Sequence, residues 1–131
     1  MATIANAHIG RGHYRVTKNS GKNVIIADEA EDKGGKDEVF DPFELFVASL
    51  AACTCATVRM YADRKQMSLE EIKVNLSLEK DDEQNVTNIT RVVEFIGNLS
   101  AEQRARLLEI ANKCPVHKIM SNPIHITTQM I

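Results

Sequence analysis

The sequence predicts an α+β fold, with antiparallel β-strand groups around one long central helix. Three observations carry the prediction. Short runs rich in Val, Ile and Thr occur in neighbouring groups joined by turn residues, which is hairpin chemistry and not the strand–helix alternation of a parallel sheet. The 14 residues Leu45–Val58 carry no charge and form one continuous apolar stretch. Residues 72–79 and 87–96 both read as strands, and they flank the polar turn Asp81-Asp-Glu-Gln-Asn85.

In order, Thr3–Ile9, His13–Lys18 and Asn23–Asp28 form a predicted meander. Gly10-Arg-Gly12 and Asn19-Ser-Gly21 separate the three strands, and both breaks are turn-forming. Residues 28–41 are acidic, contain Gly34-Gly35 and have no period, so they read as a surface loop. Asp41 then offers an N-cap and Pro42 occupies the first helical position. The helix runs to about Lys65, and Arg59, Arg64 and Lys65 suit the dipole at its C-terminal end. Ile72-Lys-Val-Asn-Leu-Ser-Leu-Glu79 alternates with a period of two, the mark of a half-buried strand. Ser100-Ala-Glu-Gln103 is a capping box with Leu99 as a staple residue. It opens a helix whose face is Leu107, Leu108, Ile110 and Ala111. Pro115 ends that helix at Cys114. Val116–Ser121 adds one or two helical turns, and Ile124–Met130 is a predicted closing strand.

At 131 residues the chain is read as a single domain spanning 1–131. A net charge of −2, with no basic run interleaved with aromatics, excludes an electrostatic footprint for nucleic acid. The uncharged run is shorter than the roughly 20 residues of a membrane span, so no membrane association is expected. The N-terminus shows no basic region followed by an apolar one, so the expected compartment is the cytoplasm. Three cysteines there are free or redox-active more readily than structural. A helix apolar on every face is not covered by one sheet on one side. The expected remedy is a homodimer with these helices at its centre.

Cys53 and Cys114 are the candidate chemistry. Cys53 lies inside the apolar helix, with Ser49 and Thr57 at i−4 and i+4. Its alternative is a small packing residue, since free cysteine is often buried, and its hydroxyl neighbours have back-bonding to the helix as theirs. Cys114 sits in Lys113-Cys-Pro-Val-His117, before a helix start whose unpaired N–H groups favour a thiolate. His117 is within three residues as an imidazole partner. The alternative is a passive cap beside a surface histidine. Cys55 points about 200° from Cys53 on a helix, which argues against a shared metal, and it receives no chemistry. A buried thiol needs a cation to ionise. Arg59 is about 240° around the helix and Arg64 about 16 Å along it, which leaves Arg15 on the second strand or an arginine of a second subunit.

On Asp41-Pro-Phe-Glu-Leu-Phe-Val-Ala-Ser-Leu-Ala-Ala-Cys53, Lys113-Cys-Pro-Val-His117, a separation of 61 between the cysteines and the element order, the chain resembles the OsmC/Ohr family. That family is named for osmotically inducible protein C and organic hydroperoxide resistance protein, and the run Arg59–Lys65 is similar to its broad OsmC-like branch. The resemblance implies an OsmC-like fold as an intertwined homodimer. It implies a thiol peroxidase of the oxidative stress response, without metal or cofactor, acting on organic hydroperoxides. In it Cys53 becomes a sulfenic acid, Cys114 condenses with it to a disulfide, and a lipoyl-type dithiol restores both. It carries the acidic role to Glu44, one place later than the family pattern sets it, and the arginine role to Arg15. A second reading keeps the scaffold without the reaction: a non-enzymatic dimer that binds a small ligand or senses redox state through Cys53.

Overall fold

The structure is a computed structural model that describes residues 2–12 and 14–131. The expected second strand began at His13, which lies outside the described residues. By contacts the chain divides into two compact units, Met1–Phe46 and Val47–Ile131.

In the first unit β1 (Asn6–His8), β2 (Val16–Ser20) and β3 (Asn23–Ala27) form an antiparallel sheet in the order β1-β2-β3. β1 is shorter at both ends than the expected Thr3–Ile9 and β3 stops one residue before Asp28, while both ends of β2 shift for local reasons. The Tyr14 N–H goes to the Asp28 carboxylate at 3.3 Å, and the ladder starts only at Val16. The ladder then runs through Asn19 and Ser20, because Ser20 pairs with Asn23 across a two-residue turn in which Gly21 takes φ 58°. Positive φ at such a turn is what glycine permits without penalty.

Asp28 organises the loop that follows. Its side chain is 2% exposed and accepts the N–H groups of Glu29 (2.8 Å) and Lys36 (3.0 Å) as well as Tyr14. The backbone N–H of Lys36 leads that of Glu29 in holding its carboxyl below the usual range, against the upward push of burial. A short 3-10 turn, Glu31–Lys33, lies inside this loop.

The long helix α1 spans Pro42–Arg64. Its start is a reciprocal cap: the Glu44 N–H donates to Asp41 Oδ1 at 2.7 Å and the Asp41 N–H donates to Glu44 Oε1 at 2.9 Å. By length and composition α1 is apolar enough to cross a membrane. In this fold its stripe Leu50, Thr54, Val58 and Ala62 is buried.

That stripe belongs to the second unit, where β4 (Leu69–Asp81) and β5 (Val86–Gly97) form a two-stranded antiparallel ladder. Both strands outrun the sequence expectation, since backbone pairing continues past the last alternating side chains to Asp81↔Val86. At the other end a bulge between Leu69 and Glu71 brings Gly97, at φ 150°, against Ser68. A Cβ on Gly97 would run into the Ser68 carbonyl oxygen. The helix α2 (Ala101–Ala111) carries the expected capping box, with Ser100 and Gln103 exchanging bonds of 2.9 and 3.0 Å. Leu107, Ile110 and Ala111 join Val58, Ala62 and Leu69 in the core. Leu108, expected on that face, is 51% exposed.

α3 covers Pro115–Ser121, one residue earlier than expected, with Pro115 as its first residue. The expected closing strand is not formed. Residues 123–131 carry no regular structure, because neither sheet of the chain offers them a ladder. Ile126 and Met130 are 86% and 96% exposed.

Candidate functional site

The site lies wholly in the second unit, where α1 and the α2–α3 junction each contribute one cysteine. Cys53 is half-buried on α1, next to the buried stripe and one residue before Thr54. Cys114 is fully buried at the N-cap of α3. Pro115 sets this geometry. It lacks an N–H and disfavours helical backbone at Cys114, so α2 stops and α3 begins with its first N–H groups turned toward the cysteine. The His117 N–H reaches Cys114 Sγ at 3.4 Å.

The two sulfurs meet. A side-chain hydrogen bond links Cys53 and Cys114, and the Val116 N–H also donates to Cys53. Thr57, one turn on, brings its hydroxyl to 3.9 Å from Cys53 Sγ. These contacts split the pair electronically. Burial pushes the Cys53 thiol up, but the bonds from Val116, Cys114 and Thr57 together outweigh it and leave Cys53 below its ordinary value. Burial and the bond to Cys53 push Cys114 up, against the opposing N–H groups of His117 and Val116. The contacts thus favour the thiolate at Cys53 over Cys114, with Cys114 on the donating side of the shared bond.

The other expected residues lie in different surroundings. Glu44, in the first unit, spends its carboxylate on the α1 cap. Arg15, also in the first unit, is half-exposed and pairs with Glu38 at 3.7 Å. Arg59 turns to the Leu69 carbonyl at 2.8 Å and to Asp63, as its angle on the helix requires. His117 is present at the site, where its backbone N–H reaches Cys114 and its ring Nδ1 meets Arg91 Nη2 at 2.9 Å.

Arg91 is the residue that the sequence reading passed over. It stands on β5 within the inward row Ile89, Arg91, Val93 and Phe95, which are all partly buried. Its Nη1 donates to Thr54 Oγ1 at 3.0 Å, and its Nη2 to Asn112 Oδ1 at 2.9 Å as well as to His117. Thr54, itself fully buried, passes its own proton to the Leu50 carbonyl at 2.7 Å. The signal was available: a lone cation at an inward position of an alternating apolar strand requires polar partners inside. Arg91 and His117 also border a cavity of about 370 Å³ with Leu50, Val93 and Leu108, and neither Cys53 nor Cys114 lines it. Among the described residues no cluster of His, Cys, Asp or Glu is placed to hold a metal ion.

Against known proteins, the sequence profile of the family described as OsmC-like protein matches residues 35–129. The chain belongs to the OsmC-like family. Solved structures agree. An organic hydroperoxide resistance protein OsmC of Legionella pneumophila is 26% identical, with a TM-score of 0.69 over 92% of this chain and 90% of that one. The organic hydroperoxide resistance protein OhrB of Bacillus subtilis is 25% identical, with a TM-score of 0.64 over 92% and 91%. An OsmC-like protein from Mycoplasma pneumoniae is 18% identical with a TM-score of 0.78 over 92% and 87%, a likeness of fold. A search of the curated proteins finds no match. The α+β architecture of two antiparallel sheets and a long helix is thus the OsmC/Ohr fold, as the element order and the two cysteine motifs implied.

Proposed function

We propose that this OsmC-like chain is a thiol-dependent peroxidase that reduces organic hydroperoxides in a stress response. The observation that carries the reading is the hydrogen bond between Cys53 and Cys114, 61 residues apart in sequence. The depressed thiol is the nucleophile and the elevated one resolves. The Cys53 thiolate attacks the terminal peroxide oxygen, forming an S–O bond as the O–O bond breaks, and the alkoxide leaves as the alcohol after taking a proton. Cys53 is then a sulfenic acid. The Cys114 sulfur attacks the Cys53 sulfur, an S–S bond forms, and the hydroxyl leaves as water with the Cys114 proton. A lipoyl-type dithiol reduces the disulfide by two exchanges and is itself oxidised. Glu44 and Arg15 take their proposed roles from the family resemblance. No cofactor enters these steps. Three free thiols fit a reducing cytoplasm. The names of the Legionella and Bacillus proteins support the substrate class.

A second reading has observations of its own. Glu44 is engaged in a cap and Arg15 in a surface ion pair. The cavity beside Arg91, about 370 Å³, falls in the size range of small-molecule pockets. On this reading the chain is a non-enzymatic dimer that binds a small ligand or senses redox state through Cys53.

Counting thiols before and after one stoichiometric dose of cumene hydroperoxide separates the two. The peroxidase falls from three thiols per chain to one, recovers with dihydrolipoamide, and does neither as Cys53→Ser. A count that stays at its starting value rejects the peroxidase and leaves the ligand-binding reading.

A further inference from the structure

The arginine on β5 bonds to three polar side chains, and these stand close to both cysteines in sequence. Thr54 directly follows Cys53, Asn112 stands two residues before Cys114, and His117 three after it. They lie on α1, at the C-cap of α2 and in α3. Ion pairs join Arg15 to Glu38, Arg59 to Asp63 and Arg106 to Glu109, and Arg91 takes part in none of these three. A partly buried guanidinium without a carboxylate partner is costly unless its donors are spent well. Here they are spent on tying three helical elements to one strand.

The tie falls where the thiols are set. Val116 and His117 supply the backbone N–H groups that reach Cys53 and Cys114. His117 is also the residue whose ring Arg91 holds. A guanidinium only donates, so His117 Nδ1 accepts and the ring carries its proton at Nε2. Arg91 therefore fixes the His117 side chain directly, and the position of the 112–117 segment through it and through Asn112.

We propose that Arg91 is the positioning residue of the thiol pair: by clamping Thr54, Asn112 and His117 it holds the start of α3 so that its N–H groups meet both sulfurs. The proposal deepens the peroxidase reading and rests on it for its biological meaning. Arg91 does not act on the peroxide. It acts through the segment that supports Cys53.

The test is the pH profile of Cys53 alkylation by iodoacetamide, followed by peptide mass spectrometry in a Cys55→Ala background. Arg91→Gln is expected to move the Cys53 midpoint upward and to reduce alkylation near neutral pH at least three-fold. His117→Ala is expected to move it the same way, and His117→Asn, whose side-chain oxygen offers an acceptor near the Nδ1 position, to recover most of the loss. Melting temperatures are read alongside. A lower melting temperature with an unmoved midpoint would make Arg91 a structural residue only and overturn the proposal. If Arg91→Gln fails to fold, the two His117 variants decide, and equal midpoints for Ala and Asn overturn it. The readout uses no peroxide, so a parent protein that ignores cumene hydroperoxide sinks the peroxidase reading and leaves this measurement intact.

Discussion

Cys53 and Cys114 are the same side chain in two environments, and the asymmetry between them is set by who donates. Cys114 is the more buried and gives its proton to the shared bond, while Cys53 receives that proton together with the Val116 N–H. The donor role has a direct consequence. In Cys114→Ala the shared donor is gone, burial of Cys53 is less opposed, and its alkylation midpoint is expected to rise. In Cys114→Ser a hydroxyl still donates, and the midpoint is expected to lie below that of the alanine variant. The sign follows from the thiolate being the reactive form: a lower pKa means reaction at lower pH. Iodoacetamide rates across pH, again with Cys55→Ala, check it. Equal midpoints in the two variants would mean that the Cys114 donor does not set Cys53. At this scale much of the site was legible. The two cysteines stood out because one interrupted an apolar helix and the other preceded a proline. Arg91 was marked only by its place as the lone cation in an inward apolar row, and its partners stayed hidden because they lie on other elements that no spacing rule within the sequence connects to it.

At the scale of elements, the parts that local chemistry decides came through and the parts that pairing decides did not. Asp41-Pro42 and Ser100–Gln103 marked their helix starts because capping is settled within four residues. Glu44, one place off the family's acidic position, is the third residue of its cap, a local role that accounts for its placement. The ends of β4 and β5 were missed because their outer pairs are held by backbone bonds, which side-chain alternation does not record. The expected Ile124–Met130 strand alternates convincingly, yet a strand exists only against a partner, and none of the described strands pairs with it. Asp28 shows the same limit in the loop, since the three N–H groups it gathers come from positions 14, 29 and 36. Its folded pKa is depressed, first by the Lys36 N–H. Its contribution is therefore present above the unfolded carboxyl value, about 3.9, and is lost as pH falls through the folded value. Asp28→Asn replaces one acceptor oxygen by an amide that repels those N–H groups. Its melting temperature is expected to fall below the parent's at neutral pH, with the gap closing under acid as the parent's own Asp28 protonates. Thermal melts at several pH values test this, and a gap that stays constant down to the acid limit would show that the carboxylate charge is not what the loop uses.

At the scale of the whole molecule the question is what covers the apolar surface. The described residues leave many large apolar side chains exposed, on α1 and along the C-terminal tail among other places, more than scattered single side chains account for. One stripe of α1 is buried, yet Ala52 and Ala56 are exposed and Met60 is 64% exposed one turn further along the same face. The unpaired tail exposes Ile124 and Ile126 besides. A second copy of the chain is the partner that the family resemblance implies, and it would meet this surface with its own equivalent, as a two-fold interface requires. The parent is therefore expected to sediment at about twice the 14.6 kDa chain mass, with a melting temperature that rises with concentration. Ala56→Arg places a long cation in the middle of the exposed α1 face. On a solvated helix such a change stays within about 0.5 kcal/mol, and Ala56→Arg would then melt like the parent. In an interface it buries an unpaired charge, so the variant is expected to sediment as a monomer or to lose several kcal/mol of stability. A parent of single-chain mass, unaffected by Ala56→Arg, would reject the dimer and leave the exposed apolar face of α1 for some other partner to cover.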